Sequence, residues 1–229
     1  MKQKHENNRK IITALEQCLI NFRGGIEENV QEGTVPAELH EFYREQQRAE
    51  GKLLAEYDIP LSADNEVNQR KNVVSAKGTV TYWLQVAKCN PELDFSEVMS
   101  TSVDYKTNRG DQYLETGAES QHMGWGEFAL ENQSERVIPG NIDLQNLRAS
   151  GDPRETRAAV RAEMKGLYSS DIDSNPKLRQ GNFVQLHESY AELDEPAKDQ
   201  DRLAHAVITN AVLVKAGFES QIDFRTYFK

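Results

Sequence analysis

The strongest chemical pattern in the sequence is a row of cations spaced to share one face of a helix. Residues 152–166 open with an aspartate and a proline, as helices often do, and the cations recur at steps of three and four: Arg154, Arg157, Arg161 and Lys165. Like charges four residues apart repel each other, so something outside this helix should neutralise the stripe. A phosphate, a nucleic-acid backbone or an acidic protein could do so. We favour pairing with acids of the same chain, because acids are in excess.

A second pattern is the string QHMGWGEF at residues 121–128. Glycines on both sides of Trp125 predict a flexible loop that could bring the indole against a ligand. His122 would add a proton donor or acceptor near neutral pH. The alternative is that Trp125 and Phe128 anchor the loop to the core, as large aromatic side chains usually do. We favour anchoring, keep Trp125 as a binding candidate and expect any pocket to border this loop.

Thiol chemistry is a third possibility. A cysteine enzyme needs a thiol, a histidine and an orienting carboxylate or amide. Cys89 meets this requirement with a histidine chosen from His122, His187 or His205. The signal is weak, because two cysteines and five histidines supply such a combination by chance. His205 shares a stripe with Arg202 and Thr209, which predicts a polar edge on the last helix.

Metal and cofactor motifs are absent from the sequence. It contains no His-x-x-x-His pair, no Walker phosphate loop and no G-x-G-x-x-G dinucleotide loop. We therefore predict no bound metal and no cofactor.

The N-terminal part of the chain reads as two helices. Residues 6–23 are amphipathic, place Cys18 on the buried side and end at two glycines. A second helix should start near Thr34 and run to about Tyr57, before Pro60. These helices predict an N-terminal hairpin over 1–60, with a mainly helical domain over 61–229, although the two could form one continuous domain.

The middle of the chain is harder to assign. Residues 66–89 fit a helix, but the alternation of apolar residues within 79–89 fits a strand equally well, and we favour the helix. A minor sheet around 79–87 and 183–188 is the alternative. Asp94 or Ser96 should cap a short helix. Glycines spaced through 102–150 predict a long irregular stretch.

The last helix should run from near Pro196 to Ala216 and end at Gly217. From Ala206 to Val214 only Thr209 and Asn210 are polar, so this helix should be central to the core. The predicted fold is therefore mainly α, with a helical bundle-like domain, an N-terminal hairpin and possible minor β structure.

Composition restricts the function. The 229 residues include 37 acids and 27 bases, a net charge of -10 that disfavours nucleic acid and anionic membranes as partners. Two cysteines form no disulfide framework, and the N-terminus shows neither a signal peptide nor a bilayer span. We expect a cytoplasmic protein, although export by a specialised route is compatible with the sequence.

These observations predict a non-enzymatic interaction or regulatory protein of a bacterial or phage-like cytosol. Its partner should be a protein that docks on two surfaces. One is the arginine stripe, formed by Arg154, Arg157, Arg161 and Lys165, and the other is the aromatic loop of residues 121–128. The first alternative is a small transferase or hydrolase whose site lies at the 102–150 loop and uses Cys89, His122 and His187. The second is a nucleic-acid-binding protein that uses the arginine stripe.

Overall fold

The computed structural model describes residues 2–55, 58–132, 189–193 and 195–222, and within these ranges the chain is helical and contains no β-strand. The described α-helices are α1 (Lys2–Asn21), α2 (Ile26–Asn29), α3 (Val35–Ala49), α4 (Glu66–Cys89), α5 (Phe95–Val103), α6 (Gln112–Asn132) and α7 (Glu195–Lys215). Single 3-10 turns lie at Leu61–Ala63 and Tyr190–Glu192. The prediction of a mainly α fold is confirmed. None of the described helices is both long enough and apolar enough to cross a membrane.

Helix α1 follows its predicted amphipathic pattern. Ile11 and Leu15 are fully buried and Cys18 is 5% exposed, so the cysteine lies on the core side as predicted. The helix begins at Lys2, earlier than predicted, and ends at Asn21, before the two glycines.

Helix α3 starts where the sequence predicts but ends earlier. The Thr34 hydroxyl accepts a hydrogen bond from the Ala37 amide at 3.4 Å, which caps the helix. Helical structure stops at Ala49, and Gly51 then adopts a left-handed φ of 65° that turns the chain away. Leu54, which the predicted helix would have included, lies beyond α3 and is 56% exposed.

Helix α4 resolves the ambiguous segment. The Asn65 side chain caps it by accepting from the Asn68 amide at 3.0 Å, and the helix continues unbroken to Cys89. Its buried residues recur at steps of three and four, including Thr79, Tyr82, Trp83 and Val86. The strand alternative for 79–87 is therefore wrong, and its proposed partner at 183–188 lies outside the described residues.

The sequence prediction is confirmed for α5 and wrong for α6. The Asp94 carboxylate caps α5 by accepting from the Glu97 amide at 3.3 Å, as predicted. Residues 112–132, predicted to be irregular, form α6 instead. The Asp111 carboxylate accepts from the first free amides of this helix, those of Tyr113 and Leu114, both at 3.0 Å. Residues 133–150 lie outside the described ranges.

Contacts divide the chain into two compact units, Met1–Gly124 with Asp199–Lys229, and Trp125–Lys198. In the first, α4 contacts both α1 and α3, and Phe42, Trp83 and Phe95 are fully buried in one apolar core. In the second, the Lys198 ammonium lies 5.8 Å from the centre of the Tyr190 ring. That residues 1–60 fold as a separate hairpin stays a prediction, since contacts alone do not test independent folding.

Helix α7 spans Glu195–Lys215, as its sequence pattern predicts. Ala206, Ile208, Val212 and Leu213 are completely buried. Its predicted central position in the core is confirmed.

Candidate functional site

Three polar residues on α7 lie inside the core rather than at its edge. Arg202, His205 and Thr209 are spaced at i, i+3 and i+7 and are 4%, 0% and 0% exposed. The predicted polar edge is therefore wrong, because α4 and α6 also bring polar groups to this row. Together they form a cluster that we name the polar seam: Ser75, Thr79, Gln121, Arg202, His205 and Thr209.

His205 is held by aromatic contacts on one side of the seam. Its ring centre lies 5.5 Å from that of Trp83, with the two planes 30° apart, and 5.6 Å from that of Tyr82 in an edge-on arrangement. Burial lowers the pKa of His205 to about 3. The imidazole is consequently neutral at physiological pH and is unsuited to the role of an acid–base catalyst there.

Thr79 connects this histidine to Gln121. The Gln121 amide nitrogen donates to Thr79 Oγ1 and to the Ser75 carbonyl oxygen. Thr79 Oγ1 in turn lies 3.5 Å from His205 Nδ1. The buried Nε2 atom of His205 has no hydrogen-bond partner among the described residues. A buried polar atom without a partner costs roughly 1–3 kcal/mol.

Gly117 makes this position of the imidazole possible. A Cβ atom at residue 117 would lie 2.2 Å from Cε1 and 2.4 Å from Nε2 of His205, far inside van der Waals contact. A glycine inside a helix costs about 1 kcal/mol relative to alanine. Here the cost has a clear structural cause, since only glycine leaves room for the ring.

Trp83 and Thr209 form the next step of the seam. The indole Nε1–H donates to Thr209 Oγ1 at 2.9 Å, and both residues are fully buried. This bond satisfies the indole donor inside the core.

Arg202 ends the seam in a network of ion pairs. Its guanidinium donates to both carboxylate oxygens of Glu115, at 2.9 and 3.0 Å, and to Asp199 at 2.9 Å. Asp199 also pairs with Arg109, and Glu115 accepts from the Gly110 amide at 2.9 Å. The buried cation is thus neutralised, and the network fastens the turn before α6 to α7.

A second histidine, His122, pairs with Asp201 of α7. Their Nδ1 and Oδ2 atoms are 3.1 Å apart, and the side chains are 7% and 17% exposed. Burial raises the pKa of the Asp201 carboxyl, and the hydrogen bond from His122 partly offsets this rise. Burial, aided by the negative charge of Asp201, raises the pKa of the Tyr43 hydroxyl. A carboxylate that orients an imidazole in this way is typical of proton-transfer sites.

The glycine-flanked loop predicted around Trp125 does not exist. Gly124 and Trp125 both lie within α6, where the indole is partly buried, and Phe128 is buried three residues later. The loop prediction is wrong because an isolated glycine costs a helix only about 1 kcal/mol, which other contacts can offset.

The candidates for thiol chemistry are not brought together. Cys89 is exposed at the end of α4, fourteen residues beyond Ser75. The Ser75 carbonyl oxygen accepts a hydrogen bond from Gln121, the residue before His122. At 1.5 Å per residue, Cys89 and Ser75 are roughly 21 Å apart along the helix. His187, Arg154, Arg157, Arg161 and Lys165 lie outside the described residues and stay predictions. No group of three or more potential metal ligands occurs in the described part of the chain.

Sequence reasoning missed Thr79, Gln121 and Gly117 as parts of the site. The available signal was the row Arg202, His205 and Thr209 on a helix that is otherwise strongly apolar. Polar residues with helical spacing on such a helix indicate buried hydrogen bonds.

The chain matches no protein family model, no curated protein and no solved structure. Its function has to be inferred from its own residues.

Proposed function

We propose that the protein is a non-enzymatic interaction protein that docks a partner protein through the outer face of α6. Four exposed residues recur at steps of four, three and four along this helix: Gln112, Thr116, Glu119 and Met123. We name them the α6 docking face. Met123 is 58% exposed, which is unusual for a large apolar side chain, and methionine adapts well to partner surfaces.

The observation that carries the proposal is the exposed apolar side chain of Met123 on this face. Gly124 follows Met123 but lies about 100° around the helix, on the side that it shares with Gly117. A Cβ atom at Gly124 would meet no described residue within 4 Å, so the described chain gives no packing reason for a glycine there.

The charge of α6 indicates the chemistry of the partner. The helix sequence contains glutamates at 115, 119, 127 and 131 and no lysine or arginine. Glu115 is engaged by Arg202, whereas Glu119 is exposed. We therefore expect the partner to present a cation beside an apolar group, with the net charge of -10 accelerating encounter.

A matched pair of variants tests this proposal. Met123→Lys should abolish capture of the native partner from the source cell, while Ile20→Lys on α1, where the apolar side chain is 56% exposed, should retain it. Circular dichroism would check that both variants fold. Equal capture by the two variants would exclude the α6 docking face.

A second candidate is a small transferase or hydrolase, favoured by the orientation of His122 by Asp201. Activated esters would serve as general probes of acid–base catalysis. Hydrolysis above the buffer rate that disappears in His122→Gln but persists in Cys89→Ser would support it. Hydrolysis at the buffer rate by the wild type would count against it.

The arginine stripe of residues 154–165 stays a predicted site for an acidic protein or a nucleic acid. Retention on a polyanion column that collapses with modest salt would support the nucleic-acid alternative. The net charge of -10 makes this the least favoured of the three functions.

A further inference from the structure

Helices α4 and α6 carry opposite charges. Helix α4 contains a single acid, Glu66, and four cations: Arg70, Lys71, Lys77 and Lys88. Helix α6 contains four glutamates and no lysine or arginine. An excess of cations on one helix contrasts with the net charge of -10 of the whole chain.

The two helices lie side by side and run antiparallel. A Cβ atom at Gly78 of α4 would lie 3.8 Å from the Ser120 carbonyl oxygen of α6, so the two backbones approach closely there. Further along α4, the Tyr82 hydroxyl donates a hydrogen bond to the Tyr113 carbonyl oxygen at 2.8 Å. Residue numbers therefore rise along α4 as they fall along α6.

Three successive residues on each helix show which side faces solvent. On α4, Gly78 faces α6, Thr79 enters the polar seam and Lys77 is exposed, with about 100° between neighbours. On α6, Ser120 faces α4, the residue after it enters the seam, and Glu119 before it is exposed. Lys77 and Glu119 consequently lie on one surface of the helix pair, on the side opposite the seam.

A two-fold rotation brings these opposite charges together in two copies of the chain. With the axis parallel to both helices and in front of this surface, α4 of each copy packs on α6 of the other at the same height. The close approach at residues 78 and 120 sets the heights. The half-buried Val74 is level with Met123, which is 58% exposed, and Lys77 is within one turn of Glu119.

We propose that two copies of this chain form a two-fold symmetric dimer through the outer faces of α4 and α6. The inference rests on the proposed function, because it names a second copy as a protein that the α6 docking face accepts. Val74 and Lys77 present the apolar group and the neighbouring cation that this face requires. Within the described ranges neither Lys77 nor Glu119 forms an ion pair in its own chain, so both are available to the other copy.

Exchange of charges between the two helices tests the inference on the full chain. Sedimentation velocity at physiological salt, which screens the long-range repulsion between two acidic chains, would follow the dimer fraction as protein concentration rises. Lys77→Glu and Glu119→Lys each place like charges opposite each other, so each should raise the dissociation constant at least about tenfold. An equimolar mixture of these two variants should recover the dimer, because every contact between the different chains then joins opposite charges.

Lys52→Glu is the matched control, since it makes the same charge change at a side chain that is 72% exposed and lies outside both helices. It should associate like the wild type, and circular dichroism would check that all variants fold. A wild type that stays monomeric as concentration rises would overturn the inference, as would a mixture that associates no better than its two components. Such a monomer could still capture another protein through Met123, so the Met123→Lys comparison distinguishes failure of the dimer from failure of the proposed function.

Discussion

Gly117 and Gly124 lie seven residues apart in α6 and therefore on the same side of the helix, yet their surroundings are opposite. At Gly117 the imidazole of His205 occupies the space that a Cβ atom would need. At Gly124 no described residue lies within 4 Å of the corresponding position. The comparison shows that a glycine in α6 makes room for an internal contact at position 117 and leaves the helix surface open at position 124.

The largest expected effect is that of Gly117→Ala. The new methyl group would overlap the His205 ring, and overpacking of this kind costs about 3 kcal/mol. Urea unfolding at pH 7 would measure the loss. Recovery of stability in the double variant Gly117→Ala/His205→Ala would show that the ring is the cause, whereas a neutral single variant would contradict the close contact.

Acid should destabilise the protein through His205. Its pKa is about 3 when folded and about 6.5 when unfolded, so the unfolded state binds the proton more tightly. The contribution of His205 to stability is complete above pH 6.5 and declines as the pH falls toward 3. Between pH 7 and pH 5 the wild type should lose about 2 kcal/mol more than His205→Gln, as measured by urea unfolding. Equal losses would mean that His205 is accessible to protons in the folded state.

Thr209→Val should have a somewhat smaller effect. The substitution preserves shape but removes the acceptor of the Trp83 indole proton, which is then left buried without a partner. Such a loss costs about 1–2 kcal/mol. Thr116→Val on the exposed face of α6 is the control, and thermal unfolding of both would measure the difference. A Thr209→Val protein as stable as its control would indicate that the indole donor is satisfied in another way.

The smallest effect, of opposite sign, is expected for Gly124→Ala. Alanine fits without a clash and favours the helix by about 0.5–1 kcal/mol, so the midpoint of urea unfolding should rise. Destabilisation instead would show that the space at Gly124 is occupied in solution.

The helices could be predicted from sequence wherever apolar spacing and caps agreed. Thr34, Asp94 and the pattern of α7 led directly to helices at those positions. Helix α3 ends earlier than predicted, because Gly51 adopts a left-handed conformation that the sequence pattern does not indicate. For α6 the sequence prediction is wrong. Its glycines indicated a loop, whereas the contacts that hold this helix in place come from residues far away in the chain.

The candidate site was less predictable for the same physical reason. His122 was identified by its residue type, but its partner Asp201 lies 79 positions later and no local spacing connects them. The sequence predicts a surface position for the row on α7, because a single sequence does not reveal that Thr79 of α4 and Gln121 of α6 lie beside it. Buried polar clusters are formed by tertiary contacts, and only three-dimensional packing identifies them.

The two cysteines have a practical consequence for any laboratory that studies this chain. Burial raises the pKa of the Cys18 thiol, with only partial compensation by Lys215, whereas Cys89 is exposed at the end of α4. A maleimide dye or spin label should therefore react with Cys89 alone, without any prior mutagenesis. The protein carries its own reporter position, ready for fluorescence or electron paramagnetic resonance titrations with candidate binders.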